Sequence, residues 1–147
     1  MLAACEAALP VDVAVCAAAV ADWRAEEAPR KLKKKEGAPP ALRLVENPDI
    51  LATLAHAGNR RPRLVVGFAA ETDKVIEHAK AKRAKKGCDW ILANDVAAAS
   101  GVFGGERNTV HLIDENGVED WPSLSKRDVG ERLAQRIAAF LVPKAAE

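Results

Sequence analysis

Three short apolar runs, each followed by polar residues, constrain this chain more than any other feature. They are residues 11–19 (VDVAVCAAA), 63–70 (RLVVGFAA) and 89–93 (DWILA). Apolar residues that run on without alternation over so short a length suit strands buried on both faces. Helix-period stretches separate the runs. Buried strands alternating with amphipathic helices imply a mostly parallel sheet covered on both sides, an α/β three-layer sandwich. Ligands in such sheets sit at the carboxyl ends of the strands. The polar residues that follow the runs are therefore the first to consider: Asp22, Glu71 with Thr72, and Asn94 with Asp95.

Local signals supply the remaining elements. Leu2, Cys5, Ala8 and Leu9 share one helical face, and Pro10 stops that helix. The face needs a cover, so an upstream segment is expected. Residues 21–40 read as a loop with Lys31, Lys33, Lys34 and Lys35, then Gly37, Pro39 and Pro40. Residues 41–46 (ALRLVE) alternate like an edge strand. Asn47 and Pro48 read as cap and first turn of a helix with Ile50, Leu51, Leu54 and Ala55 on its apolar face and Gly58 after its end. Thr72 is the expected cap of the next helix, running to about Lys86 with Gly87 as its stop. Residues 108–114 and 118–121, joined through Asn116 and Gly117, read as a β-hairpin. Ser125 then caps a last helix with Val129, Leu133, Ile137 and Phe140 on one face.

Charge and cysteine usage narrow the function. The 147 residues suit one domain, and 22 basic against 21 acidic side chains leave a net charge of +1. Such a balance, with few aromatics, speaks against nucleic acid as a partner. Cys5, Cys16 and Cys88 form no C-x-x-C pair, and His56, His78 and His111 have no ligand spacing, so no metal site is expected. The longest apolar run is too short to cross a bilayer, and the first ten residues lack the basic start of a signal peptide. The chain is read as cytoplasmic, with no membrane partner.

Several residues suit ligand chemistry, each beside a plainer reading. Asp22 could accept a ribose hydroxyl or order a metal-bound phosphate, or simply cap a turn. The small residues Cys16, Ala17 and Ala18 would let a ligand approach the main chain. Lys31 could close over a phosphate, although a lysine run is ordinarily a solvated face. Asn47, Pro48, Asp49 and Ile50 open a helix, whose free N–H groups favour anions. Phe68 could edge a base, or pack in a core. Lys82 and Lys86, one helical turn apart, could grip a base carbonyl or a phosphate, or form a basic surface. Asn94 and Asp95 could hold a polar substrate. Trp23, Trp90 and Trp121 read as packing residues, and Cys16 and Cys88 as small buried hydrophobes.

Six segments taken together carry a resemblance: residues 18–24 (AAVADWR), 31–34 (KLKK), 47–50 (NPDI), 67–72 (GFAAET), 82–86 (KRAKK) and 93–96 (ANDV). In this order and spacing the chain resembles bacterial phosphopantothenate–cysteine ligases. The resemblance implies a Rossmann-like fold and CTP-dependent joining of 4'-phosphopantothenate to cysteine in coenzyme A biosynthesis, through an acyl-cytidylate, with Mg²⁺. It implies Lys31 as the catalytic residue and CTP contacts at Cys16, Ala17, Ala18, Asp22, Lys31, Asn47, Pro48, Asp49, Ile50, Phe68, Lys82 and Lys86. It implies a homodimer in which strands such as the hairpin meet, and in many bacteria fusion to a flavin-dependent decarboxylase. The family's upstream glycine-rich loop and its essential Asn are not among these residues. The chain is therefore expected to lack its N-terminal nucleotide-loop segment, and the alternative is a non-catalytic CTP-binding fragment.

Overall fold

The computed structural model describes residues 1–28, 30, 41–96 and 107–142. The elements are α1 (Leu2–Ala8), β1 (Val13–Cys16), β2 (Trp23–Ala25), β3 (Leu44–Glu46), α2 (Ile50–Ala55), β4 (Leu64–Glu71), α3 (Val75–Lys86), β5 (Trp90–Asp95), β6 (Arg107–Asn108), β7 (Val110–Ile113), β8 (Val118–Asp120), β9 (Leu124–Ser125) and α4 (Lys126–Leu141). A five-stranded sheet runs β1-β4-β5-β7-β8. β1, β4 and β5 are parallel; β7 opposes β5, and β8 opposes β7. Four of these five strands thus point one way, as the alternation of runs and helices predicts.

Side-chain alternation along the strands splits the core into two halves. On one face Leu64, Val66, Trp90, Leu92, Val110 and Leu112 pack with Trp121 and with Val129 and Leu133 of α4. On the other, Val65, Ala69, Ile91, Ala93 and Ile113 pack with Ala55 and Leu51 of α2 and with Val75, Ile76 and Ala79 of α3. The result is the expected three-layer sandwich. Gly67 permits the close seat of α2, because a Cβ there would lie 2.6 Å from Leu51 Cδ2. Polar clamps hold the sheet at both ends, Arg61 at the start of β4 and β5 and Arg132 beside Trp121, whose backbone N–H donates to Val110 O. Arg61 donates to both Asp89 oxygens at 2.9 and 3.0 Å, and Asp89 Oδ2 accepts the Val65 N–H at 2.7 Å. Arg132 stacks 4.9 Å above Trp121 and donates to Glu119, which also accepts the Trp121 indole N–H.

Several expectations shift. The run at 11–19 forms a strand only over Val13–Cys16, and β1 lies at the sheet edge with Val15 45% exposed, so it is not buried on both faces. Within the expected loop, β2 pairs antiparallel with β3. Its three exposed residues carry no alternation; the distant partner strand makes it a strand. Trp23 is accordingly 57% exposed and not a packing residue, whereas Trp90 and Trp121 are buried. α3 starts after Lys74 with no side-chain cap, so Thr72 does not cap it. The Asn116-Gly117 hairpin forms as expected, with Asp114 accepting the N–H groups of both residues. Ser125 caps α4 by accepting the Asp128 N–H.

Candidate functional site

The polar residues singled out in the sequence gather where β1 and β4 end. The chain leaves β1 through Ala17 and Ala18, both exposed, and reaches Asp22 just before β2. Asn47, after β3, fastens this exit. Its backbone N–H donates to Asp22 O at 2.7 Å and its side-chain amide to Ala21 O at 2.8 Å. Its Oδ1 accepts from Arg24 at 2.9 Å, and Arg24 also donates to Glu46 O at 3.1 Å. Asn47 is therefore a staple between the β1 exit and the β2–β3 pair, not a helix cap. The side chain reaches a distant carbonyl better than its own helix, which begins three residues later. The Asp22 carboxylate is exposed and has no side-chain partner among the described residues.

Asp49 takes the capping role. Its carboxylate accepts the Ala52 N–H at 3.0 Å, and Pro48 lies just outside the helix that Ile50 opens. The other carboxylate oxygen accepts from Lys86 Nζ. Burial pushes the Asp49 carboxyl up, but the Ala52 N–H and the Lys86 and Lys85 ammonium groups outweigh it and hold the group below its ordinary value. The N-terminus of this six-residue helix thus carries its own carboxylate, Asp49. Cys16 stands beside this carboxylate. Burial first, then Cys5 and Asp49, push its thiol up, so it stays uncharged at neutral pH. Cys16 is only half-buried, unlike Cys88.

Lys82 and Lys86 project from the same face of α3 but are not a bare cationic pair. Lys82 Nζ donates to Glu71 Oε1 at 2.8 Å, whereas Lys86 is held by Asp49. Glu71 ends β4, and its side chain is 16% exposed. His78 Nδ1 lies 3.7 Å from the second Glu71 oxygen and 3.7 Å from Asp73. The structure thus brings Cys16, Asp49, Lys86, Lys82 and Glu71 to the α2–α3 side of the sheet. Phe68 is on the other side, packed against the core beneath α4, so it meets a shared ligand only across the carboxyl edge. Asn94 lies near it by register, one strand away, its Oδ1 buried without a partner. Lys31 lies outside the described residues, as does the side chain of Asp95. Among the described residues no group of three His, Cys, Asp or Glu side chains is placed to hold a metal ion. Two working residues were not assigned roles from sequence: Arg24, whose exposed three-residue strand carries no pattern, and Glu71, whose strand-end position was the available signal.

Residues 1–141 match the family of the DNA/pantothenate metabolism flavoprotein C-terminal domain. The chain is 42% identical over 123 residues to the coenzyme A biosynthesis bifunctional protein CoaBC of Escherichia coli K12, covering 82% of this chain and 30% of that protein. It is 36% identical over 135 residues to the protein of the same name from Haemophilus influenzae, covering 92% of this chain and 33% of the relative. The chain therefore spans about a third of the length of these relatives. The crystal structure of the C-terminal domain of a coenzyme A biosynthesis bifunctional protein CoaBC aligns with a TM-score of 0.66 at 31% identity, covering 89% of this chain and 55% of that one.

Proposed function

This chain belongs to the DNA/pantothenate metabolism flavoprotein C-terminal domain family, and from that premise we propose that it is the nucleotide-handling part of a ligase in coenzyme A biosynthesis. The reaction is CTP-dependent joining of 4'-phosphopantothenate to cysteine. The substrate carboxylate attacks the α-phosphorus of CTP and expels pyrophosphate. The cysteine amine then attacks the acyl carbon, forms the amide and releases CMP. The observation that carries this reading is the gathering of Asp22, Asp49, Lys86, Glu71 and Lys82 around the carboxyl ends of β1 and β4, where open α/β sheets take nucleotides.

Each residue then has a task. Lys82 and Lys86, released from their carboxylates, neutralise phosphate or reach the base. Lys31 closes over the reacting phosphate and stabilises its developing charge. Magnesium ordinarily binds through one or two carboxylates plus substrate phosphates, which Asp22, without a side-chain partner among the described residues, suits. The same reading includes a homodimer and fusion to a flavin-dependent decarboxylase. A second reading, a CTP-binding part that does no chemistry alone, is favoured by one fact: the chain covers 55% of the solved C-terminal domain of a coenzyme A biosynthesis bifunctional protein CoaBC.

Calorimetric titration with CTP and Mg²⁺, with ATP as control, tests the nucleotide assignment. CTP-selective binding lost in Lys82→Ala and weakened in Asp22→Ala is the expected result. Product formation from 4'-phosphopantothenate and cysteine then separates ligase from binding fragment. Binding of neither nucleotide would sink both.

A further inference from the structure

We infer that Glu71 is a specificity-determining residue of this site, selecting an amino-pyrimidine over an oxo-pyrimidine nucleotide. The inference rests on the nucleotide reading above. Its basis is the pair that Glu71 makes with Lys82. The ammonium is a donor with no acceptor, and the carboxylate accepts only. At 2.8 Å they present a donor beside an acceptor at the carboxyl end of β4. Glu71 is mounted on the strand, with Val96 N–H bonded to its backbone oxygen at 2.9 Å, and its side chain is nearly buried. The carboxylate is therefore fixed in place, while Lys82, 38% exposed on a flexible stem, can swing. The second Glu71 oxygen takes no hydrogen bond among the described residues, since His78 Nδ1 at 3.7 Å is beyond that range.

The edge of cytosine matches this arrangement. It offers an exocyclic N4 amine as donor beside the N3 and O2 acceptors. The free Glu71 oxygen accepts from N4, and Lys82 donates to N3 or O2. Uracil places a carbonyl oxygen, O4, where cytosine has the amine, so the carboxylate would face a second acceptor with no proton between them. A site built to accept a substrate N–H rejects an analogue lacking it strongly, because the buried acceptor is left unpaired. Adenine also carries an amine beside a ring acceptor, so this pair separates CTP from UTP and leaves the choice against ATP to the shape of the site.

The test is calorimetric titration of this chain, and of Glu71→Gln and Glu71→Asp, with CTP and with UTP, each with Mg²⁺. The wild type should bind CTP about tenfold or more tighter than UTP. Glu71→Gln can turn its amide to donate to O4, so its CTP/UTP ratio should fall to within about threefold, with UTP gaining affinity. Glu71→Asp keeps the charge but draws it back, so it should weaken CTP while still disfavouring UTP. A ratio unchanged in a folded Glu71→Gln protein overturns the assignment and leaves the nucleotide reading standing. So does a wild-type chain that binds both pyrimidine nucleotides equally, a result that needs no variant to fold. A wild-type chain that binds neither CTP nor ATP overturns the nucleotide reading, and the role of Glu71 with it.

Discussion

Two carboxylates of this site, Asp49 and Glu71, are each engaged by a particular lysine, and that decides how single changes act. Asp49 holds Lys86 and the Ala52 N–H together, and its carboxyl lies below the ordinary value of 3.8. A lowered folded-state pKa gives stability that is present above the unfolded value and is lost as pH falls through the folded one. Wild type should therefore exceed Asp49→Asn in stability at pH 7, and the gap should close as pH drops from about 4 downward. Asp49 is more than a third exposed, so the gap is small, and urea midpoints at pH 7 and pH 3 measure it. A gap that widens in acid would contradict the pairing. Sequence made Asp49, Lys82 and Lys86 visible as candidates, but not their partners. Two lysines one turn apart look alike on paper. Glu71 and Asp49 answer them from elements 11 and 37 residues away, and such pairings are set by packing that no local spacing encodes.

At the scale of elements, the strong signals were those whose chemistry is complete within a few residues. The Asn116-Gly117 turn, the Ser125 cap and the Gly87 stop each form where the residue type requires. The weak ones had a competitor. Asn47 is a good cap by type, yet the Ala21 carbonyl and Arg24 engage its side chain, and Asp49 two residues later caps instead. Gly87 gives the clearest element-scale prediction. Its φ is +70, and a Cβ there would lie 2.7 Å from His56 Cε1, at the junction of α2 and α3. Gly87→Ala combines a left-handed backbone with a contact that His56 must yield, and should cost about 1–2 kcal/mol. Gly130→Ala, inside α4 with open space around its Cβ, should stabilise by about 0.5–1 kcal/mol. Denaturant midpoints of the two variants should therefore move in opposite directions.

Over the whole molecule, the sequence pattern reported which faces are apolar and could not report which edges are covered. β4 and β5 are central, and their apolar runs are buried as expected; β1 has a run of the same kind but only β4 beside it. Exposed large apolar residues accordingly concentrate early in the chain, at Val11, Val15, Val20, Trp23, Leu42 and Leu44. The candidate site lies against this less covered side, between the β1 exit and α3. Its described members are joined by polar contacts that cross from one element to another: Asn47 to Ala21, Lys86 to Asp49, Lys82 to Glu71. A nucleotide gripping both the β1 exit and α3 would tie together parts that the cores beneath the sheet do not. Binding to the native state alone stabilises by mass action, about 2.7 kcal/mol at a hundredfold excess over Kd. For a domain of this size that corresponds to a rise of about 5–10 °C in Tm. A thermal melt with saturating CTP and Mg²⁺ should show it, and Lys82→Ala should lose it; with Lys82 38% and Glu71 16% exposed, loss of the pair should lower the ligand-free Tm by no more than about 4 °C, roughly 1 kcal/mol. A large ligand-free loss in Lys82→Ala would instead make that lysine a structural tie between α3 and β4, and would move the nucleotide contact elsewhere on the carboxyl edge.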